Sequence, residues 1–141
     1  MLVLLDSRPE SLDAFELACR LAADDHAALT ALVVLDVPAS LPLDAHMGRE
    51  EEEARGLLDR AGAKGDSYGV KVRAKLVRAR DVSEAVVGHA RKSRAELIVL
   101  GAPRQELGSL RRRHPQPTLA EVLIRAPCRV MVVSEPTSKA A

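Results

Sequence analysis

The sequence contains almost no aromatic residues: one Phe, one Tyr and no Trp among 141 residues. Proteins that recognise RNA or single-stranded DNA stack the bases on such side chains, so their scarcity argues against nucleic-acid binding. The hydrophobic core must instead be aliphatic, which suits parallel strands covered by helices on both faces.

Neither a charge excess nor a long apolar run is present. The chain has 21 basic and 20 acidic residues and a net charge of +1, far from the basic surplus of a DNA-binding domain. No apolar stretch approaches the roughly 18 residues of a membrane-spanning helix, and no signal peptide precedes the first apolar run. We therefore expect a single cytoplasmic domain without a membrane span.

Residues that build metal or hydrolytic centres are few and scattered. Cys19 and Cys128 form no CxxC pair and are predicted to be small core residues. The four histidines show no helical ligand spacing, so no metal site is predicted. Neither GxxxxGK(S/T) nor a nucleophile elbow occurs, which excludes a standard P-loop NTPase and gives no support to Ser-His-Asp hydrolysis. No catalytic residue is assigned.

Short apolar runs alternate with helical patterns along the chain. Strands are predicted at residues 2–5, 29–37, 70–77, 97–100 and 130–133. The third of them alternates polar and apolar residues, which is typical of a strand near a sheet edge. The pattern predicts an α/β fold with one open, five-stranded parallel sheet of order 3-2-1-4-5 and helices on both faces, Rossmann-like in architecture.

Helical patterns fill the gaps between the strands. The first helix follows Pro9, and its predicted core face consists of Leu12, Phe15, Cys19 and Ala22. The second covers about residues 48–63. Glycines are predicted to break this second helix, namely Gly62, Gly65 and Gly69. The fourth covers residues 118–125.

The third helix begins at Asp81 or Ser83, either of which can cap its first turn. Its predicted core face consists of Val82, Ala85, Val86 and His89. We therefore expect His89 to pack against the core rather than to act as a base.

The strand order predicts where a ligand would bind. The connections change direction between the first and fourth strands, so Asp6, at the end of one, should lie beside Gly101, at the end of the other. In open parallel sheets the crevice at such a switch point is the usual ligand site.

Five segments together resemble the universal stress protein family over essentially the whole chain: LVLLDS, ALVVLDV, RDVSEAVVGHA, AELIVLGA and TLAEVLIRAPCRVMVV. The resemblance implies a small cytoplasmic α/β domain over residues 1–135. The remaining residues, 136–141, are expected to form a disordered tail. The resemblance also implies a role in stress or metabolic regulation. A homodimer is implied as well, paired through the last strand of each copy, Val130, Met131, Val132 and Val133.

ATP-binding members of that family share an acidic residue after the first strand that reads adenine. They also share a backbone contact at the end of the second strand and a phosphate loop written G-x2-G-x9-G-(S/T). The resemblance assigns the acidic position to Asp6, the second-strand contact to Val37 and the first glycine of the loop to Gly101.

The rest of the phosphate loop departs from the family pattern. Arg104 stands at the second glycine position, and the final Gly-(S/T) pair falls on Pro117 and Thr118. Gly108 and Ser109 form an out-of-place candidate for a shifted glycine. Arginine adds a long side chain, and proline has no N–H to donate, so the usual backbone cradle is not expected. Thr118 still offers a hydroxyl for a helix cap or a phosphate.

Two features of the sequence are each compatible with more than one role. Asp6 could accept a hydrogen bond from an adenine amino group or a ribose hydroxyl, or it could cap the first turn together with Ser7. The run Arg111, Arg112, Arg113 and His114 could clamp phosphates, contact an acidic partner or lipid head groups, or form a solvated loop.

Two functional hypotheses follow. The first is a non-catalytic, homodimeric regulatory domain with a degenerate crevice that binds AMP, ATP or a small anion weakly. The second is a protein-interaction domain with a vestigial pocket, which forms the cytoplasmic part of a transporter or sensor. An enzyme is not expected, because Asp6 and Asp36 are the only strand-end carboxylates and no base accompanies them.

Overall fold

Strands and helices alternate along the chain in the computed structural model, which describes residues 1–104 and 117–135. The strands are β1 Leu2–Leu4, β2 Leu29–Asp36, β3 Val72–Ala79, β4 Leu97–Gly101 and β5 Arg129–Val133. The helices of these described residues are α1 Pro9–Asp25, α2 Gly48–Ser67, α3 Val82–Ser93 and α4 Pro117–Arg125. The predicted roles of Gly108, Ser109, the Arg111 to His114 run and the tail at 136–141 fall outside them.

All five strands are parallel, in the order β3-β2-β1-β4-β5. The predicted order and fold class are therefore confirmed, and so is the edge position of the third strand. In the centre, Leu2 of β1 lies opposite Thr30 of β2 on one side and Ile98 of β4 on the other. Strands β2 and β3 lie on one side of β1, and β4 and β5 lie on the other, so the connections change direction at the β1–β4 pair.

The core is aliphatic and lies in two layers, one on each face of the sheet. Val3 and Leu5 point into the layer beneath α1 and α2, whereas Leu2 and Leu4 point into the layer beneath α3 and α4. This alternation follows from the two-residue repeat of a strand. Since both faces are covered, β1 is apolar throughout, as parallel strands in the middle of a sheet usually are.

The two cysteines are free thiols in different surroundings. Cys19, on the inner face of α1, is fully buried as predicted, and burial is the main cause that raises the pKa of its thiol. Cys128 is only half-buried, and it packs against the edge of the α3–α4 layer. None of the helices within residues 1–104 and 117–135 is long and apolar enough to cross a bilayer.

α2 continues to Ser67, so the prediction that Gly62 and Gly65 break it is wrong. Gly65 is buried, because the side chain of Val72 packs directly against its Cα. The chain turns only afterwards, at Gly69, whose φ of +69° lies in the left-handed region that favours glycine. The glycine at 65 thus serves the packing of α2 on β3 and does not end the helix.

The buried faces of α1 and α3 also differ from those predicted. On α1, Leu12 is 37% exposed, and small residues occupy the contact with the sheet instead. The buried residues of α1 are Ser11, Ala14, Phe15, Ala18, Cys19 and Ala22. On α3 they are Ser83, Val86, Val87 and Ala90. Ser83 can be buried because its hydroxyl donates to the Asp81 carboxylate at 2.6 Å.

The single tyrosine joins α1 to the end of α2. The Tyr68 hydroxyl donates to Glu16 Oε1 at 2.7 Å and accepts from Arg20 Nε at 3.4 Å. The hydrogen bond from Tyr68, followed by the positive charge of Lys64, holds the pKa of Glu16 below its ordinary value. This polar contact closes the outer edge of the α1–α2 layer.

Two glycines of α2 should respond in opposite ways to alanine. In Gly65→Ala the new Cβ would lie 2.3 Å from Val72 Cγ2 and 3.0 Å from the carbonyl oxygen of Val70. We expect a loss of about 1–3 kcal/mol in the free energy of unfolding, since this packing leaves no room. At Gly62 a Cβ meets no atom within 4 Å, so Gly62→Ala should stabilise the protein by up to about 1 kcal/mol. Urea denaturation measures both, and equal effects would contradict the assignment of Gly65 to packing.

Candidate ligand site

A cavity of about 250 Å³ opens at the carboxyl ends of β1 and β4. Strands β1, β2 and β4, the turn after β1 and the first turns of α3 and α4 supply its wall. Its lining consists of Leu4, Leu5, Asp6, Arg8, Val34, Val82, Leu100, Gly101, Thr118 and Leu119. The predicted crevice at the switch point is thus present, with Asp6 and Gly101 on the same wall.

Asp6 is held by Arg8, two residues further along the chain. Asp6 Oδ1 accepts from the backbone N–H of Arg8 at 2.9 Å and from its Nε at 3.2 Å. Asp6 Oδ2 lies 3.1 Å from Nε and 3.0 Å from Nη2 of the same guanidinium. The carboxylate therefore caps the β1–α1 turn. It is not the helix cap, since the N-cap position of α1 is Arg8 and no side chain caps it.

Arg8 also ties the ends of the two central strands together. Its Nη2 donates to the carbonyl oxygen of Gly101 at 3.2 Å, across 93 residues of sequence. The side chains of Arg8 and Asp6 are 39% and 38% exposed, respectively. The pair therefore lies at the mouth of the crevice, where water still reaches it.

Ser11 fixes the backbone of the same turn from below. Its hydroxyl accepts from the N–H of Asp6 at 2.8 Å and donates to the carbonyl oxygen of Leu4 at 3.3 Å. The residue is only 1% exposed, so the hydroxyl replaces water for both backbone groups. The direction of the Asp6 side chain follows from this turn.

Gly101 is required by packing. A Cβ at this position would lie 2.3 Å from the carbonyl oxygen of Glu10 and 2.6 Å from the N–H nitrogen of Ser11. The first turn of α1 thus presses its backbone directly against the end of β4. The glycine that the sequence suggested for a phosphate loop has a structural reason independent of any ligand.

The remaining predicted site residues divide into two groups. Thr118, in the first turn of α4, lines the cavity. Val37 is buried and donates its N–H to the carbonyl oxygen of Ala79 at 2.8 Å, and it is not among the described lining residues. Arg104 is likewise absent from that lining, and its Nε donates to the carbonyl oxygen of Glu135 at 2.8 Å. The structure therefore brings together Asp6, Gly101 and Thr118 but directs Val37 and Arg104 elsewhere.

Sequence reasoning missed Arg8 and Ser11. Both lie in the turn after β1, within five residues of Asp6. The available signal was their spacing, because a cation two residues from a strand-end carboxylate can reach it, and a hydroxyl in the same turn can bond its backbone groups.

Two arginines from β3 and the residue after it hold the β2–α2 loop beside the crevice. Arg80 donates from Nη1 to the carbonyl oxygen of Pro38 and from Nη2 to that of Leu41, both at 2.8 Å. Arg78 donates to the carbonyl oxygen of Ala45 at 2.7 Å. These contacts satisfy backbone groups of a loop without regular structure and fix its course.

The first turn of α3 closes another side of the cavity through Val82. Asp81 caps this helix by accepting from the N–H of Glu84 at 3.3 Å, which confirms one of the two predicted caps. The hydroxyl of Ser83, and after it the N–H of Glu84, hold the pKa of Asp81 below its ordinary value. The cap therefore stays ionised at neutral pH.

Titratable groups with catalytic or metal-binding potential are sparse in the described parts of the chain. Among the described lining residues, Asp6 and Arg8 are the titratable pair. No three His, Cys, Asp or Glu side chains within residues 1–104 and 117–135 could jointly hold a metal ion. His89 is half-buried, and burial, followed by the charges of Lys75 and Lys92, lowers its pKa.

The model of the universal stress protein family matches residues 1–134. The chain belongs to this family. No curated protein sequence matches it, but solved structures of the universal stress protein family do. A universal stress protein family member from Burkholderia pseudomallei is 29% identical, with a TM-score of 0.70 over 93% of this chain and 92% of that one.

Two further universal stress protein structures share the fold at lower identity. One, in complex with cAMP, is 20% identical, with a TM-score of 0.72 over 94% of each chain. The other, from Archaeoglobus fulgidus in complex with dAMP, is 14% identical, with a TM-score of 0.73 over 94% of each chain. At these identities the similarity establishes the fold, and the ligands belong to those proteins.

Removal of the Ser11 hydroxyl should destabilise this universal stress protein domain. Ser11→Ala leaves the N–H of Asp6 without a partner beside the core, which costs about 1–3 kcal/mol of unfolding free energy. The matched control is Ser93→Ala, because the Ser93 hydroxyl also donates to a backbone carbonyl but lies exposed at the end of α3. We expect a change within about 0.5 kcal/mol for the control. A Ser11 variant as stable as the control in urea would contradict the role of Ser11 in the turn.

Proposed function

We propose that this domain is a cytoplasmic, non-catalytic, homodimeric regulatory protein whose crevice binds AMP or a similarly small adenine nucleotide weakly. The observation that carries the proposal is the cavity at the switch point, where Asp6, Gly101 and Thr118 meet. Related structures contain cAMP and dAMP. A volume of about 250 Å³ lies just below the usual range for small-molecule sites, about 300–1,000 Å³, and thus favours a monophosphate over ATP.

The phosphate would bind at the first turn of α4. Thr118 lines the cavity there, and its hydroxyl can donate to a phosphate oxygen. The N–H groups of a first helical turn lack partners within the helix and add the positive end of the helix dipole. Since Pro117 has no N–H, the hydroxyl of Thr118 carries more of this contact than in a glycine-rich loop.

The chemistry of the lining supports a binding role over catalysis. Phosphoryl transfer needs a positioned base and usually a carboxylate that holds a metal ion. Asp6, the described carboxylate of the lining, is paired with a guanidinium at 3.0 Å. Both of its oxygens already contact Arg8, so the carboxylate is engaged in a structural pair rather than left to act as a base or a metal ligand.

The two edges of the sheet support homodimerisation through β5. β3 carries the exposed charges of Arg73 and Lys75, which discourage edge-to-edge pairing. β5 is apolar after its first residue. Val130 and Val132 pack against one core layer and Met131 and Val133 against the other, and all four stay only half-buried. A second copy across a two-fold axis would cover this edge.

An interaction domain with a vestigial pocket, as in the cytoplasmic part of a transporter or sensor, is the second candidate function. Two predicted site residues favour this candidate, because each is bound by another part of the chain and is not among the described residues that line the cavity. The N–H of Val37 is used by Ala79, and Arg104 contacts Glu135 instead of the cavity.

Nucleotide binding can be tested with an isosteric change at the phosphate position. We expect Thr118→Val to weaken AMP binding about tenfold, because a hydrogen bond to a charged group is lost. The control is Thr30→Val, at the opposite, amino end of the sheet next to Leu2, which should bind AMP as the unchanged protein does. Isothermal titration calorimetry with AMP, ATP and cAMP measures the effect. No heat with any nucleotide at millimolar concentration would overturn the nucleotide-binding proposal and leave the interaction domain.

Dimerisation can be tested by placing a charge on each edge in turn. In Val132→Lys two lysines would approach across the two-fold, and like charges on paired strands repel. We therefore expect a monomer in sedimentation velocity. Leu76→Lys on β3, where Leu76 is already 37% exposed, should leave the dimer intact. Circular dichroism confirms that both variants fold. A monomeric unchanged protein, or a dimer lost only in Leu76→Lys, would contradict the β5 interface.

A further inference from the structure

Arg8 contacts both oxygens of the Asp6 carboxylate. A carboxylate offers about four lone-pair sites. Oδ1 accepts from the backbone N–H of Arg8 at 2.9 Å and lies 3.2 Å from its Nε. At Oδ2 the partners are Nε at 3.1 Å and Nη2 at 3.0 Å. The Nε hydrogen is shared by the two oxygens, so three N–H groups of one neighbouring residue make these four contacts.

The local backbone holds this arrangement. Arg8 is followed by Pro9 and has φ −73° and ψ 144° at the start of α1, while its carbonyl oxygen accepts from the N–H of Ser11 at 3.1 Å. Its Nη2 is anchored a second time on the carbonyl oxygen of Gly101 at 3.2 Å. Because the partners are two residues apart in a fixed turn, little chain entropy opposes the pair.

An adenine base can be read only through its own donors and acceptors. Its exocyclic amino group needs an acceptor, and a bare carboxylate would favour that group and repel the 6-oxo group of hypoxanthine. Asp6 bound to Arg8 does neither, since three N–H groups already engage its two oxygens and the guanidinium offsets its charge. We propose that Arg8 determines the base selectivity of the crevice: it closes the amino-reading position at Asp6, so the site binds purine monophosphates without distinguishing a 6-amino from a 6-oxo group.

This inference rests on the proposed nucleotide binding, and the ratio of two affinities isolates it. Loss of a cation beside the crevice weakens any phosphate ligand, whatever its base. AMP and IMP carry the same ribose phosphate, so that effect cancels in their ratio. The AMP to IMP ratio therefore reports only how the site discriminates between the two bases.

The experiment is isothermal titration calorimetry of AMP and IMP against the unchanged protein and four variants. Arg8→Ala and Arg8→Met both remove the guanidinium, and Met keeps the length of the stem in case Ala disturbs the turn. Arg8→Ala combined with Asp6→Asn removes the exposed carboxylate as well. Arg20→Ala is the matched control, because Arg20 also lies on the α1 segment and pairs with a carboxylate, Glu16, at 3.7 Å, but outside the crevice.

We expect the unchanged protein and Arg20→Ala to bind AMP and IMP within about threefold of each other. Both single Arg8 variants should prefer AMP by about tenfold or more, the scale of discrimination by a well-placed polar contact to a base. The double variant should lose that preference.

Two results would overturn the inference and are distinguishable. If the unchanged protein binds both nucleotides and the Arg8 variants keep its AMP to IMP ratio, Arg8 does not control the base position, and the proposed function stands. If none of the five proteins binds either nucleotide at millimolar concentration, while circular dichroism shows them folded, the proposed function fails and the inference fails with it.

Discussion

The close approach of α1 to the end of β4 is the constraint on which the site depends. Only a residue without a side chain fits between the first turn of α1 and that strand, so Gly101 sets where the helix begins. The start of the helix in turn fixes the short turn after β1 and the hydrogen bonds that Ser11 makes within it. The side chains of Asp6 and Arg8 therefore meet at the crevice through backbone packing and not through any ligand.

The strand order and the placement of Asp6 and Gly101 in one crevice could be predicted, because both follow from features that a sequence displays locally. Apolar runs, caps and alternation identify the elements, and right-handed crossovers leave few ways to order five parallel strands. What could not be predicted depends on partners distant in the chain. Gly65 resembles a helix breaker until Val72 is seen against it, and the direction of Arg104 depends on where Glu135 lies.

Gly101 and the Asp6 carboxylate thus each fit two roles, one in ligand binding and one in the structure of the chain. In the family pattern Gly101 and Asp6 belong to a nucleotide site, whereas here each also has a structural partner within the chain. A motif match therefore locates the crevice correctly without specifying its chemistry. That chemistry depends on residues the motif does not include, of which Arg8 is the clearest.

The position of Tyr68, bound to Glu16, allows the packing of two helices to be followed by tyrosine fluorescence. With one tyrosine and no tryptophan, near-ultraviolet absorption and intrinsic fluorescence come chiefly from a single ring. That ring lies at the junction of α1 and α2, and its hydroxyl is bound to Glu16, while the crevice opens at the strand ends. Tyrosine fluorescence should therefore report on the packing of α1 against α2 and not on whether the crevice is occupied.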